Sequence, residues 1–89
     1  MAVEQHAVVA LAIDLEEIIL RADGLLVGKT LRDTDIGRRT GVMVIAVKRA
    51  DGGVEFPPRG DEKMAAGDSL VLLGRRENLD RFRTQFCRE

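Results

Sequence analysis

The chain of 89 residues has few of the side chains on which nucleic-acid recognition depends. It contains three phenylalanines and no tryptophan or tyrosine, and its 14 basic residues are balanced by 15 acidic ones. Proteins that bind single strands stack aromatic rings on the bases and use excess positive charge to follow the phosphates. We therefore expect that nucleic acid is not a partner.

Cysteine and histidine each occur once, as Cys87 and His6. A single cysteine excludes an internal disulfide and a thiolate metal cluster, and a single histidine has no second one with which to complete a metal site. The carboxylates of Asp14, Glu16 and Glu17 lack a loop that would bring their oxygens around a cation. We expect no metal site, no catalytic residue and no enzymatic activity.

Long apolar runs and a basic leader are also missing from the sequence. A membrane-spanning helix needs roughly 20 apolar residues, so we expect no direct insertion into a membrane and a cytoplasmic location. A chain of this length encloses one small core, and its stability is modest or shared with a partner.

The first regular segment can be interpreted in two ways. From Val9 to Glu16 apolar and polar or small residues alternate, which is typical of a half-buried strand. Val8, Leu11, Leu15 and Ile18 also recur at helical spacing, so residues 3–13 leave helix and strand open.

The later elements have clearer signals. The pattern predicts a short helix beginning near Gly28, a brief turn between Gly37 and Gly41, a strand at Val42–Val47 that is covered on both faces, a hairpin through 51–53 into a strand at 54–56, a strand at Leu70–Leu73, and a helix at Glu77–Phe86. The fold class is α+β: a small sandwich of a mixed β-sheet and short helices in the order β-α-β-β-β-α.

An ordered set of short motifs runs through the chain from Asp14 to Phe86. They are Gly-Lys-Thr-Leu at 28–31, Asp-Ile at 35–36, Thr-Gly-Val at 40–42, Lys-Arg at 48–49, Asp-Gly at 51–52 and Gly-Asp-x-Leu at 67–70. In this order and spacing the chain resembles the TrkA-C (RCK-C) family, the C-terminal domain of regulators of potassium conductance. The resemblance implies a TrkA-C-like domain at residues 14–89, with residues 1–13 as an N-terminal extension or lead-in to the first strand.

The resemblance also implies partners and a ligand. The expected partners are a second copy in a homodimer, a membrane channel, transporter or antiporter subunit, and an NAD-binding RCK-N domain. Some members bind cyclic di-AMP at the two-fold axis, and Ile36, Val44 and Pro58 match the apolar positions of that site. Many such members have an arginine after Asp-Ile and a polar residue early in the next strand, where this chain has Gly37 and Met43. The sequence therefore leaves open whether the chain binds cyclic di-AMP, another small anionic or nucleotide ligand, or no ligand.

The residues themselves indicate an anion contact at Arg38 and Arg39, because guanidinium groups match phosphate and the neighbouring glycines permit close approach. The alternative is that both arginines are solvated on a turn. The candidate ligand-binding residues are Ile36, Arg38, Arg39, Met43, Val44, Pro57, Pro58 and Arg59.

The resemblance and the residue patterns leave three functions to consider, of which the first is implied by the resemblance. The first is a ligand-sensing, dimerising regulatory module of a potassium or other cation transport system or antiporter. The second is a structural dimerisation module without a ligand. The third is a small hydrolase that uses Ser69 of the Gly-Asp-Ser-Leu segment, although a serine nucleophile needs a histidine base within hydrogen-bond reach and His6 is the one histidine. The segment 24–30 is one residue short of a phosphate-binding loop, and its bulky Leu25, Leu26 and Val27 favour a packing role.

Overall fold

The structure, a computed structural model, describes residues 5 and 11–87. The elements in chain order are β1 (Asp14–Ile19), α1 (Leu31–Thr34), α2 (Ile36–Thr40), β2 (Met43–Lys48), β3 (Val54–Glu55), β4 (Ser69–Gly74) and α3 (Arg76–Phe86). The α+β class is confirmed. Two short helices stand where the sequence predicts one helix and a turn.

The four strands form one sheet in the order β1-β4-β2-β3. All three strand pairs are antiparallel, where a mixed sheet is predicted. The predicted hairpin is confirmed, because β2 pairs with β3 across a turn in which Gly52 has a φ of 100°. The strand interpretation of the first segment is confirmed from Asp14 onward; residues 6–10, including His6, lie outside the described residues.

One face of the sheet carries the core. Leu70 and Leu72 of β4 are buried against Leu79, Phe82 and Phe86 of α3, the three residues that the sequence places on one face of this helix. Helix α2 packs against α3 and β2. The helices therefore cover the same face of the sheet, and most of the apolar burial occurs there.

The other face of the sheet is open. Pairing places Leu15, Leu73 and Met43 in one cross-strand row, and a second row contains Ile19 and Val54. Ile19 is 69% exposed, and Leu15, Met43 and Val54 are similarly exposed. The prediction that strand 42–47 is covered on both faces is therefore wrong for the single chain, because no described element packs over this face.

A threonine decides where α1 begins. The Oγ1 atom of Thr30 accepts a hydrogen bond from the backbone N–H of Asp33 at 3.0 Å, which caps the helix. Helix α1 therefore starts at Leu31 and not near Gly28. The Lys-Thr-Leu segment forms a capped turn, consistent with a packing role and not with a phosphate-binding loop.

Thr-Gly-Val at 40–42 turns the chain from α2 into β2. The buried Thr40 hydroxyl donates to the carbonyl of Ile36 at 2.7 Å and accepts from the N–H of Val42 at 3.2 Å. Gly41 has a φ of 81° and closes the helix with a hydrogen bond to the carbonyl of Gly37. Within the described part of the chain, no helix has the length and apolar character needed to cross a bilayer.

Candidate functional site

A cleft of about 450 Å³ lies between the two short helices, the start of β2 and the loop at 58–60. Five of the predicted ligand-binding residues line it: Ile36, Arg38, Met43, Val44 and Pro58. Its volume is in the range typical of small-molecule sites. The cleft is therefore the candidate functional site.

The floor of the cleft is apolar. Ile36 and Val42 are buried, Val44 and Pro58 are half-buried, and Met43 is 61% exposed at the edge. Gly37 also lines the cleft, and a Cβ there would meet only the carbonyl of Val42, at 3.6 Å. An apolar group of a ligand can therefore lie against this floor without displacing a side chain.

Backbone hydrogen bonds join the segment 28–32 on one side of the cleft to the segment 60–64 on the other. The N–H of Gly28 donates to the carbonyl of Met64 at 2.8 Å, and the N–H of Met64 donates to the carbonyl of Lys29 at 2.9 Å. The N–H of Arg32 donates to the carbonyl of Gly60 at 3.0 Å. These bonds hold the loop at 58–60 beside α1, so the cleft is part of the fold.

Charged side chains lie at the rim of the cleft. Arg38 is exposed, and its Nε donates to the carboxylate of Asp35. Asp35 joins α1 to α2 in the left-handed conformation, with a φ of 54°. Asp35 therefore neutralises much of the charge that Arg38 would offer to an anion.

Three predicted site residues do not line the cleft. The guanidinium of Arg39 lies 4.7 Å from the centre of the Phe86 ring, because consecutive residues of a helix point about 100° apart. Pro57 is exposed beside the cleft-lining Pro58. Arg59 pairs with Asp61 at 3.4 Å.

The sequence analysis missed Arg32, Asp35 and Gly60 as lining residues. Arg32 is exposed on α1. The contact between Arg32 and Gly60 joins segments about 28 residues apart, and no local sequence pattern signals such a pairing. The Asp-Ile motif was the available signal for Asp35.

A cluster of charged side chains around Arg49 fixes the end of the loop that follows β3 and contains Pro58 and Gly60. Its Nε donates to Glu55 at 2.8 Å, its Nη1 donates to Asp68 at 2.7 Å and to the carbonyl of Lys63 at 3.1 Å, and its Nη2 contacts Glu62. Burial disfavours the charged guanidinium, but the hydrogen bonds to Asp68, Glu55 and Glu62 outweigh it and raise the pKa of Arg49. This cluster, which we call the Arg49 cluster, anchors β3 and the loop after it.

Asp68 explains the Gly-Asp-x-Leu motif structurally. It is 2% exposed and accepts hydrogen bonds from the N–H groups of Ala50 and Ala65, both at 3.0 Å. Ser69 follows as the first residue of β4 and is buried. The geometry therefore does not favour the hydrolase alternative, since this serine begins a paired strand and its neighbouring acid is engaged in a turn.

Metal-ligating side chains do not gather in the part of the chain that the structure describes: no group of three or more His, Cys, Asp or Glu is placed to hold an ion. His6 lies outside that part. The single cysteine, Cys87, is half-buried at the end of α3.

The order of motifs and the fold agree with one family of domains. The model of the TrkA-C domain matches residues 15–86. The chain belongs to the TrkA-C domain family. This confirms the resemblance read from the motifs, and by its family the chain is a regulatory domain.

Solved structures share the fold. The Regulator of Conductance of K+ (RCK) C domain of the potassium transport protein KtrA, in complex with cyclic di-AMP, is 25% identical with a TM-score of 0.73, and the match covers 82% of each chain. The RCK_C domain dimer of S. agalactiae BusR with cyclic di-AMP is 22% identical with a TM-score of 0.71, covering 82% of this chain and 89% of that one. No curated protein sequence matches the chain.

A third relative is much longer. The GsuK channel bound to NAD is 23% identical with a TM-score of 0.71, and the match covers 82% of this chain but 13% of the channel chain. The same fold thus also occurs as a small part of a channel protein.

The exclusion of nucleic acid as a partner was wrong. BusR, whose domain shares this fold, has also been solved in complex with its busAB-promoter DNA, where the match covers 34% of the BusR chain. Low aromatic content and balanced charge in one small domain therefore do not exclude a protein that binds DNA. The composition argument applied to single-strand stacking, which is one mode of recognition among several.

Proposed function

We propose that this chain is a ligand-sensing and dimerising regulatory module of a potassium or other cation transport system or antiporter. The observation that carries the proposal is the cleft, where an apolar floor and an arginine rim are held together by backbone pairing. The KtrA domain bound to cyclic di-AMP and the GsuK channel bound to NAD support a regulatory ligand with a nucleotide's chemistry.

The ligand that fits such a cleft has an apolar or planar body and an anionic group. Ile36, Val44 and Pro58 offer surface to the body, and arginines at the rim offer hydrogen bonds to the anion. Cyclic di-AMP, AMP and NAD all have this character. The module acts by binding, and its output is a shift between arrangements of the paired domains.

Dimerisation is proposed through the open face of the sheet. Leu15, Ile19, Met43 and Val54 expose apolar side chains there, and the ion pair between Lys48 and Glu17 crosses the same face at 3.2 Å. Exposed apolar surface of this kind marks interaction sites. A second copy placed by a two-fold axis would bury the same residues on both partners. The RCK_C domain of BusR has been solved as a dimer, which supports pairing of two copies.

The proposal is tested by thermal unfolding with a panel of cyclic di-AMP, AMP, NAD and inorganic phosphate. A ligand that binds only the folded state raises the melting temperature by mass action. We expect a nucleotide to stabilise the wild-type domain and to lose its effect on Met43→Glu, which places a carboxylate at the cleft.

The matched control is Val54→Glu. Val54 is 62% exposed against 61% for Met43 and lies on the same open face, but it does not line the cleft. It should respond to the nucleotide as the wild type does. If no probe stabilises the wild type at saturating concentration, ligand sensing is refuted and the ligand-free dimerisation module becomes the better description.

A further inference from the structure

We propose that Arg32 is the residue that recognises the anionic group of the ligand, a phosphate or carboxylate oxygen group at the rim of the cleft. This inference rests on the proposed function, since it names a determinant of the same site. It goes beyond the sequence analysis, which assigned the anion contact to Arg38 and Arg39.

The arginines near Arg32 already have partners. Arg38 is bound to Asp35, Arg59 pairs with Asp61, and Arg39 lies over Phe86. The guanidinium of Arg32 makes no hydrogen bond or ion pair with any residue that the structure describes. An anion can therefore bind it without first displacing a carboxylate.

Backbone pairing fixes Arg32 at the edge of the cleft. The backbone N–H of Arg32 is fixed by the carbonyl of Gly60 at 3.0 Å. The Cβ and Nη2 atoms of Arg32 each lie 3.9 Å from the point that a Cβ on Gly60 would occupy. The arginine side chain therefore extends across a residue that has no side chain of its own, and both residues line the cleft.

The charge and shape of the Arg32 guanidinium also suit an anion. Because Asp35 neutralises Arg38, the charge left for a ligand at this rim is mainly that of Arg32. A guanidinium presents two parallel N–H donors that match two oxygens of a phosphate or carboxylate, and a lysine ammonium cannot reproduce that geometry. The neighbouring apolar floor places the ligand's body next to this anchor.

The experiment is isothermal titration of AMP, cyclic di-AMP, adenosine and inorganic phosphate into the wild type, Arg32→Ala and Arg32→Lys. We expect Arg32→Ala to weaken the binding of AMP or cyclic di-AMP by about tenfold to a hundredfold, because one charge-assisted hydrogen-bonded contact is lost. The affinity for adenosine should not change. Arg32→Lys should recover part of the affinity. Since Arg32 is exposed, the melting temperature without ligand should not change.

Arg75→Ala is the matched control, since Arg75 is also exposed, makes no ion pair with a described residue and does not line the cleft. Its affinity for the nucleotide should equal that of the wild type. Equal nucleotide affinity of Arg32→Ala and wild type would overturn the role of Arg32 and leave the proposed function standing. Equal losses for AMP and adenosine would also overturn it, because the side chain would then act by packing. Failure of every probe on the wild type would remove both proposals together.

Discussion

Replacing Asp68 by asparagine changes the charge of one buried side chain while keeping its shape. The Oδ1 atom of Asp68 accepts from Ala50 at 3.0 Å, and its Oδ2 atom accepts from Ala65 at 3.0 Å and from Arg49 at 2.7 Å. Asparagine keeps one acceptor oxygen and turns the other into an NH₂ group that faces donors. The cheaper orientation turns the NH₂ group toward Ala50 and keeps the oxygen toward Ala65 and Arg49. The variant therefore loses the hydrogen bond from Ala50 and the negative charge that strengthens the bond from Arg49.

The expected loss of unfolding free energy is about 2 kcal/mol. A hydrogen bond to a charged group contributes about 1.5–3 kcal/mol and a neutral one about 1 kcal/mol, and Arg49 keeps its contacts with Glu55 and Glu62. Small domains have a total stability of about 5–15 kcal/mol, so the change is large. Ligand affinity at the cleft should fall as well, because the Arg49 cluster anchors the loop that contains the cleft residues Pro58 and Gly60.

The effect depends on pH in a direction fixed by the pKa of Asp68. Burial raises the pKa of this carboxyl, but hydrogen bonds from Ala65, Arg49 and Ala50 outweigh burial and lower it. A lowered folded-state pKa contributes stability above the ordinary aspartate value of about 3.9, and that stability is lost as the pH falls through the folded-state pKa. The difference between wild type and Asp68→Asn should therefore be largest near neutral pH and shrink in acid.

Urea unfolding followed by far-ultraviolet circular dichroism at about pH 7 and about pH 3 measures both quantities. Asp61→Asn is the control, because Asp61 is 51% exposed and its ion pair with Arg59 spans 3.4 Å, which should cost less than about 0.5 kcal/mol. An Asp68→Asn protein within about 0.5 kcal/mol of the wild type at neutral pH would refute the reasoning.

Two further variants test the packing and the proposed dimer. Gly41→Ala should lose about 2 kcal/mol of unfolding free energy in the same assay, because φ is 81° and the new Cβ would lie 2.7 Å from Asn78 Nδ2. Gly28→Ala has a similar φ of 86° but open space around the new Cβ, so it should lose about 1 kcal/mol. Equal losses for the two variants would show that Asn78 moves away and relieves the clash. In sedimentation, the wild-type 9.8 kDa chain should run as a dimer, and Ile19→Asp on the open face should convert it into a monomer. Ala22→Asp, in the exposed turn after β1, is the control and should stay dimeric. A monomeric wild type would refute the proposed interface.

Local patterns were sufficient for much of the fold. Alternation, the Asp-Gly turn and the spacing of Leu79, Phe82 and Phe86 predicted strands, hairpin and last helix, because each depends on neighbours in sequence. The same patterns could not show that both short helices and α3 cover one face only. Met43 is exposed because the helices lie on the opposite face of the sheet, and contacts between residues far apart in the sequence decide that arrangement.

The site was predicted in part for the same reason. Ile36, Val44 and Pro58 line the cleft, and they were found through the motifs. Arg39 was misplaced relative to the cleft because residues adjacent to each other in a helix point in different directions. Arg32 was missed because its place in the cleft depends on pairing with Gly60, a contact that no short window of sequence contains.

Amide chemical-shift mapping of the wild-type domain during a titration with cyclic di-AMP, and separately with AMP, tests the central claim most directly. If the cleft is a ligand site, saturable shifts should concentrate at Ile36, Gly37, Val44 and Gly60, with smaller changes on the outer face of α3. Shifts that concentrate on α3 while the cleft stays unchanged, or spectra that do not respond to either nucleotide, would contradict it.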